Sequence, residues 1–100
     1  MGELEIEGLK FEWNDEKYQI NIKKHGIRFE TAARVFFDEY LIDNYDFEHS
    51  DDEDRIKIIG KVEKVLVVVH TERVEKLRII SARLANKKER NDYYGQFVFR

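Results

Sequence analysis

Six side chains that could do chemistry stand beside two apolar runs in the second half of the chain. The run 65–69 is followed by His70, Glu72 and Arg73, and the run 77–82 contains or adjoins Arg78, Ser81 and Arg83. Histidine exchanges protons near neutral pH, whereas a guanidinium stays charged and offers two parallel donors to a phosphate. These residue types suit a reaction that moves protons and stabilises a developing anion.

Three arginines are candidates for contacting a phosphate. Arg83 is the first choice, and its alternative role is to cap the following helix. Arg78 lies five residues earlier, so a regular strand would direct it to the opposite face. Either a bulge intervenes or one of these two arginines is structural. Arg55 stands beside Lys57 on the polar face of another predicted strand, where its alternative role is simple solvation.

The proton-transfer groups are predicted on the first of the two runs. His70 and Glu72 are two residues apart, so a strand places them on one face. The alternative for His70 is a histidine packed at a strand end. No glycine-rich phosphate loop occurs, and we predict no cofactor. The three histidines are scattered and cysteine is absent, so the sequence also predicts no metal site.

Composition indicates a single folded domain over residues 1–100. Hydrophobic residues make up 42% of the chain, proline is absent and no low-complexity tract occurs, so one compact core is expected. No stretch is apolar enough to cross a bilayer, and a cytoplasmic location is expected. Residues 1–54 contain 6 Lys and Arg against 16 Asp and Glu, whereas residues 55–100 contain 12 against 5. The two halves can neutralise each other in the folded chain, or the basic half can bind an anionic partner.

The elements that must position these side chains follow from periodicity and capping. Residues 4–11 alternate like a half-buried strand with a kink or bulge near Gly8. Asn14 is a good N-cap for a helix over Asp15–Lys24, which Gly26 would stop. A second helix is predicted over 29–37, without a capping side chain at Arg28.

The remaining elements make a sheet with a short closing helix. Residues 41–45 suit a short strand, 46–54 an exposed acidic loop, and 55–62 a strand with clean alternation. The apolar runs suit a hairpin joined by about seven residues, with Val65–His70 as the central strand. A charged helix over 85–94 then follows. The sequence thus predicts an α+β fold with an antiparallel sheet and two N-terminal helices packed on one face.

Several strings together resemble the BrnT family of bacterial type II toxin–antitoxin toxins. They are FEWNDEK at 11–17, KKHGIRFETAARVFFD at 23–38, DEDRIKIIG at 52–60, VVVHTER at 67–73 and LRIISARLANKKER at 77–90. The resemblance implies a RelE-like fold and a ribonuclease that inhibits growth. It further implies that a BrnA-type antitoxin encoded beside the toxin holds it inactive.

An RNA substrate needs cations along its backbone as well as catalytic groups. The predicted RNA-binding residues are Lys24, His25, Lys57, Lys87 and Lys88. His25 can instead complement the dipole of its helix, and the lysines at 87 and 88 can simply be solvated. Since the ribose 2′-OH is the nucleophile, cleavage requires only proton transfer and stabilisation of the phosphorane, without a metal.

Two other hypotheses remain open on the sequence. The first is a non-catalytic module of the same fold that binds protein or nucleic acid, and the second is a plain structural α+β domain. Clustering of His70, Glu72, Arg78 and Arg83 in one cleft would favour the ribonuclease. Dispersal of these four residues over different faces would favour the other two hypotheses.

Overall fold

The computed structural model describes residues 1–45 and 53–98. Its elements in chain order are β1 (Gly2–Ile6), β2 (Leu9–Trp13), α1 (Asp15–His25), α2 (Phe29–Val35), β3 (Ile42–Tyr45), β4 (Ile56–Val62), β5 (Lys64–Arg73), β6 (Lys76–Leu84) and α3 (Lys87–Gly95). The strands of this part of the chain form one sheet in the order β1-β2-β6-β5-β4-β3. The α+β class is confirmed.

The sheet is mixed, and the prediction of a wholly antiparallel sheet is wrong at one pair. β2 runs parallel to β6 through the pairs Phe11↔Leu77 and Glu12↔Arg78, while the other neighbours are antiparallel. Two helices and three strands separate β2 from β6 in the chain, so no tight turn dictates their relative direction. Sequence patterns carry little information about such a distant pairing.

The apolar run 65–69 lies in the interior strand β5, as predicted, between β6 and β4. Leu66 and Val68 are buried on the face that α1 and α2 cover, here called the α1/α2 face. Val65 and Val67 are buried on the other face against Ala85 and Tyr93, here called the α3 face. Because both faces are covered, a continuous β-branched run fits this strand.

The N-terminal segment is a hairpin instead of one bulged strand. Glu7 and Gly8 both have positive φ, at 47° and 85°, and join β1 to β2 as a two-residue turn. Two successive positive φ values are typical of the tight hairpin turn whose twist matches that of the strands. Phe11 and Trp13 of β2 are buried in the core.

The predicted helix α1 is confirmed, whereas the predicted range of α2 is too long. The side chain of Asn14 accepts a hydrogen bond from the Lys17 amide, and Gly26 ends α1 at φ 69°. Arg28 provides no side-chain cap to α2, which ends at Val35 instead of residue 37. Gly60 gives α2 room, because a Cβ there would lie 2.7 Å from Val35 Cγ1.

The central hairpin is longer than predicted and contains a bulge. β5 extends to Arg73 and β6 begins at Lys76, so two residues form the turn instead of seven. Val69 pairs with Ser81 but His70 pairs with Ile79, which leaves Ile80 as an extra residue on β6. Most of the predicted loop 46–54 lies outside the described residues. Among the residues that the structure covers, no helix has the length and apolarity needed to cross a membrane.

Candidate active site on the α3 face of the sheet

The bulge in β6 brings Arg78 and Arg83 to the same face of the sheet. Arg83 pairs with Val67 and Arg78 with Thr71, and these two β5 residues are four apart on one face. Without the extra residue Ile80, the five-residue spacing would separate the two arginines. The sequence allowed either a bulge or a structural role for one of the two arginines. The structure contains the bulge, and both arginines lie on the α3 face.

Arg83 is held by a buried carboxylate from α3. Glu89 Oε1 and Oε2 accept hydrogen bonds from Arg83 Nη1 and Nη2 at 2.7 and 2.8 Å. Glu89 is 7% exposed, and its Oε1 also accepts from the Asn86 amide. Hydrogen bonds from Arg83 lower the pKa of Glu89 to about 2, against the effect of burial. Glu89 is therefore a permanent anion at neutral pH that fixes the orientation of the guanidinium.

Part of the Arg83 guanidinium remains open for a ligand. Besides Glu89, its described contact is Nη1 with the Leu84 carbonyl at 3.3 Å. Within residues 1–45 and 53–98 these contacts leave Nε–H and one hydrogen of Nη2, and the side chain is 38% exposed. The Nε and Nη2 hydrogens project side by side, which matches two oxygens of one phosphate.

Lys57 adds a second cation next to Arg83. Its Nζ lies 3.8 Å from Glu89 Oε2, and its side chain is one-third exposed. In the register of the sheet Lys57 pairs with Val69, which pairs with Ser81. A row of side chains on adjacent strands thus runs Lys57, Val69, Ser81 across the α3 face, directly beside the row that ends in Arg83. The predicted RNA-binding Lys57 and the predicted catalytic Arg83 are brought together.

Arg78 lies further along the same face, and Arg55 lies next to the start of β4. Arg78 Nε donates to Glu12 Oε2 at 2.7 Å, and Glu12 is 8% exposed. Lys76 Nζ lies 3.9 Å from Glu12 Oε1 as well. Arg55 immediately precedes β4 and is half-buried, two residues from Lys57. Arg78 is thus engaged in an ion pair that ties β6 to β2, and its side chain is 28% exposed, against 38% for Arg83.

The C-terminal end of α1 reaches the Arg83 end of β6. Asn21 is buried and forms two hydrogen bonds with the Ala82 backbone, donating to the carbonyl at 2.9 Å and accepting from the amide at 3.0 Å. Four residues on, His25 lies close enough to Arg83 for the guanidinium to act on its titration. Desolvation, then Lys24, then Arg83 lower the pKa of His25 below its ordinary value of 6.5. A lowered pKa favours the neutral imidazole, which is the form that can accept a proton.

His70 and Glu72 are together, but on the opposite face from the arginines. His70 pairs with Ile79 and packs its ring edge against Phe36 of the α1/α2 face, with centroids 4.8 Å apart. It is 4% exposed, and desolvation lowers its pKa to about 4. The clustering of His70, Glu72, Arg78 and Arg83 in one cleft is not found, because β5 directs alternate residues to opposite faces.

The remaining candidates are surface lysines. Lys24, at the end of α1, and Lys87 and Lys88, in the first turn of α3, are exposed. Lys88 pairs with Asp92 one turn later at 3.0 Å, which fits a solvated helix face. Across the described parts of the chain, no group of three His, Asp or Glu side chains is placed to hold a metal ion.

Glu89 and Glu12 were missed by the sequence interpretation although they organise both arginines. Glu89 was detectable, because Asn86 and Glu89 have the spacing of a capping box. The structure contains that box, with the Asn86 side chain accepting from the Glu89 amide and the Glu89 side chain accepting from the Asn86 amide. Glu12 offered no such signal, since its contact with Arg78 depends on the parallel pairing of β2 with β6.

Comparisons with known proteins agree with this fold and with the strings noted in the sequence. A family model described as the ribonuclease toxin BrnT of type II toxin–antitoxin systems matches residues 13–89. The crystal structure of the Brucella abortus ribonuclease toxin BrnT is similar in fold, with a TM-score of 0.56 and 24% identity. That match covers 75% of this chain and 94% of the Brucella chain. A comparison with curated proteins finds no match. The chain belongs to the BrnT family of type II toxin–antitoxin ribonuclease toxins.

Proposed function

We propose that this toxin cuts RNA without a metal ion, inhibits translation and growth, and is neutralised by a BrnA-type antitoxin. The observation that supports the site is the pairing of Arg83 with the buried carboxylate of Glu89, beside Lys57. A partly exposed guanidinium fixed by a buried anion is preorganised to bind a second anion through its free edge. The family match supports the choice of RNA as that anion.

Arg83 and Lys57 stabilise the scissile phosphate. The Nε and Nη2 hydrogens of Arg83 donate to two non-bridging oxygens, and these bonds strengthen as negative charge builds up in the phosphorane. Lys57 places its ammonium next to Arg83, at the exposed side of Glu89. Glu89 keeps the guanidinium in one orientation, so little reorganisation is needed during the reaction.

His25 is the proposed base and Lys57 the proposed acid. The neutral imidazole of His25 takes the proton of the ribose 2′-OH, and the bond between O2′ and phosphorus forms. The bond between phosphorus and O5′ then breaks, and Lys57 gives a proton to the leaving oxygen. The products are a 2′,3′-cyclic phosphate and a 5′-hydroxyl. His25 replaces the predicted pair of His70 and Glu72, which lie on the other face.

A second candidate function is a non-catalytic binding module of the same fold. It is favoured by the separation of His70 and Glu72 from the arginines, and by the engagement of Arg78 with Glu12. In that case Arg83 and Lys57 would hold nucleic acid without cutting it. The two functions differ in one observable, the appearance of new RNA ends.

The test uses toxin produced together with the neighbouring BrnA-type antitoxin and separated from it under denaturing conditions. Refolded toxin is incubated with a labelled RNA in EDTA, and the product ends are identified by mass spectrometry. We expect cleavage with cyclic phosphate and 5′-hydroxyl ends, and its loss when antitoxin is added back. Binding without cleavage would favour the non-catalytic module, and cleavage abolished by EDTA would contradict the metal-free mechanism.

A further inference from the structure

The α1/α2 face carries an open apolar groove at the end that holds His70. A depression of about 240 Å³ there is lined by Phe36, Leu41, Asp43, Ile56, Ile58, His70, Glu72 and Leu77. A buried apolar cavity of roughly 150 Å³ already accommodates a benzene molecule, so this depression can take a large side chain. The wall is apolar while the two carboxylates stand at the rim, an arrangement typical of a recognition site.

His70, one of the residues that line this depression, contains a buried polar atom without a partner in the described parts of the chain. His70 is 96% buried, and among the described residues its Nδ1 has no hydrogen-bond partner. A buried polar atom left unpaired costs free energy, so most such atoms in folded proteins are satisfied. A hydroxyl or amide group from outside would satisfy Nδ1 in either tautomer of the neutral ring, since it can donate or accept.

The rim of the depression is acidic. Asp43 and Glu72 are exposed, and none of the ion pairs formed within 1–45 and 53–98 uses either carboxylate. Asp43 is close enough to His70 to act on its imidazole. Two unpaired carboxylates beside an apolar groove fit an occupant that carries Lys or Arg, and they disfavour an anionic occupant such as RNA.

The groove continues towards the N-terminal hairpin. A second depression of about 280 Å³ shares Glu72 and Leu77 with the first and includes Leu9, which is 36% exposed. Its lining also contains Glu75 and the cations Lys10, Arg73 and Lys76, so the acidic character belongs to the first depression alone. Together the two depressions extend from β3 to β2 across five adjacent strands. At about 4.8 Å per strand, this is roughly 19 Å, the length of about six extended residues. The occupant is therefore a segment of a partner chain instead of a small molecule.

We propose that this groove on the α1/α2 face docks a basic, apolar segment of the antitoxin, on the face opposite the proposed RNA site. The segment inserts apolar side chains between Phe36 and Leu77, places Lys or Arg beside Asp43 and Glu72, and offers a hydroxyl or amide to His70. This inference rests on the proposed neutralisation by an antitoxin. The charge of the first depression fits it, because its described lining contains Asp43 and Glu72 and neither Lys nor Arg.

The experiment measures affinity for the BrnA-type antitoxin by calorimetry in three folded charge-reversal variants. Asp43→Lys and Glu72→Lys place like charges against the basic segment, and each should weaken binding at least about tenfold. Asp92→Lys is the matched control on α3, at an exposed position of the other face, and should bind like the unmodified toxin. The ¹⁵N resonance of His70 Nδ1 should also shift when the complex forms.

The outcomes separate this inference from the proposed function. The first outcome is that the unmodified toxin binds the antitoxin, but Asp43→Lys and Glu72→Lys leave the affinity unchanged and complex formation does not shift the His70 resonance. In that case the docking site lies elsewhere and only this inference fails. If Asp92→Lys alone weakens binding, the α3 face is the interface and the inference is again overturned. If the unmodified toxin does not bind the antitoxin, the proposed neutralisation fails and the groove loses its occupant.

Discussion

Each exposed arginine of the candidate site is paired with a carboxylate that is itself buried. Glu89 holds Arg83 and Glu12 holds Arg78, with the two carboxylates 7% and 8% exposed. A buried anion left without its cation is costly, so these pairs fix the arginines firmly in place. At the scale of residues, the site therefore depends on carboxylates that never touch the RNA.

Replacement of the Glu89 carboxylate should alter the response of stability to acid. The carboxyl has a pKa of about 2 in the folded chain against its ordinary value of 4.5, so its stabilisation is full above about pH 5 and is lost as the pH falls towards 2. This shift corresponds to about 3 kcal/mol. Urea denaturation should show that decline in the unmodified protein and a decline smaller by about this amount in Glu89→Gln, because other carboxyls with lowered pKa, such as Asp38, remain. The exposed Glu16→Gln should behave like the unmodified protein, and an unchanged decline in Glu89→Gln would contradict the pairing.

The buried histidine should affect stability in a different pH window. The pKa of His70 is about 4 in the folded chain, below its ordinary value of 6.5, so between these values the unfolded chain binds a proton that the folded chain does not. Stability should therefore fall as the pH drops from 6.5 to 4, by about 3 kcal/mol. His70→Leu should flatten this part of the urea-derived stability profile. An equally steep profile in His70→Leu would show that His70 is not buried in a neutral form.

At the scale of elements, two irregular features assemble the candidate site. The extra residue Ile80 in β6 turns Arg78 to the face of Arg83, and Asn21 attaches α1 to the backbone of Ala82. The side chain of Asn21 replaces a neighbouring strand there, because it satisfies both the amide and the carbonyl of one residue. This attachment brings the end of α1, with His25, to the Arg83 region.

Loss of the Asn21 amide should destabilise the fold and weaken RNA cleavage together. Asn21→Leu leaves the Ala82 amide and the carbonyls of Ala82 and Ile27 without their partner. Thermal denaturation should show a loss of about 2–3 kcal/mol, the cost of buried unsatisfied backbone groups. Gln19→Leu, at an exposed position of α1, should change stability by less than about 0.5 kcal/mol. Equal stability of the two variants would contradict this role of Asn21.

The sequence predicts those parts of the fold and site that depend on local patterns. The cap residues Asn14 and Gly26 define α1, and the β-branched run 65–69 identifies the interior strand. The parallel pairing of β2 with β6 could not be predicted, because it joins segments that no turn connects. The face of Arg78 could not be predicted either, since a single extra residue reverses it.

At the scale of the whole molecule, the opposite charges of the two halves meet in ion pairs. Acidic residues of the first half pair with cations of the second half, in Glu3–Lys76, Glu12–Arg78 and Glu53–Arg73. These pairs use three of the 12 Lys and Arg residues of the second half. The cations proposed to contact an RNA backbone are Arg83, Lys57 and Lys24.

This small set of cations should make RNA binding only moderately dependent on salt. If Arg83, Lys57 and Lys24 contact phosphates, log K should fall with log salt at a slope of about −2, since each contact on a single strand contributes about −0.7. Fluorescence polarisation with a 2′-O-methyl RNA, which lacks the attacking hydroxyl, measures this slope between about 50 and about 200 mM salt. Lys57→Ala should reduce it by about 0.7. A slope steeper than about −5 would require many more contacts than this face provides.

The rate of RNA cleavage by Arg83→Ala, compared with Arg73→Ala, tests the proposed site most directly. Both arginines lie on the hairpin and pair with a glutamate, and their side chains are 38% and 39% exposed. Loss of a donor to the developing anion should slow cleavage by about 10²–10³ in Arg83→Ala. Arg73→Ala, at the far end of β5, should retain a rate within about tenfold of the unmodified toxin. Equal rates in the two folded variants would contradict the assignment of Arg83 to the cleaved phosphate.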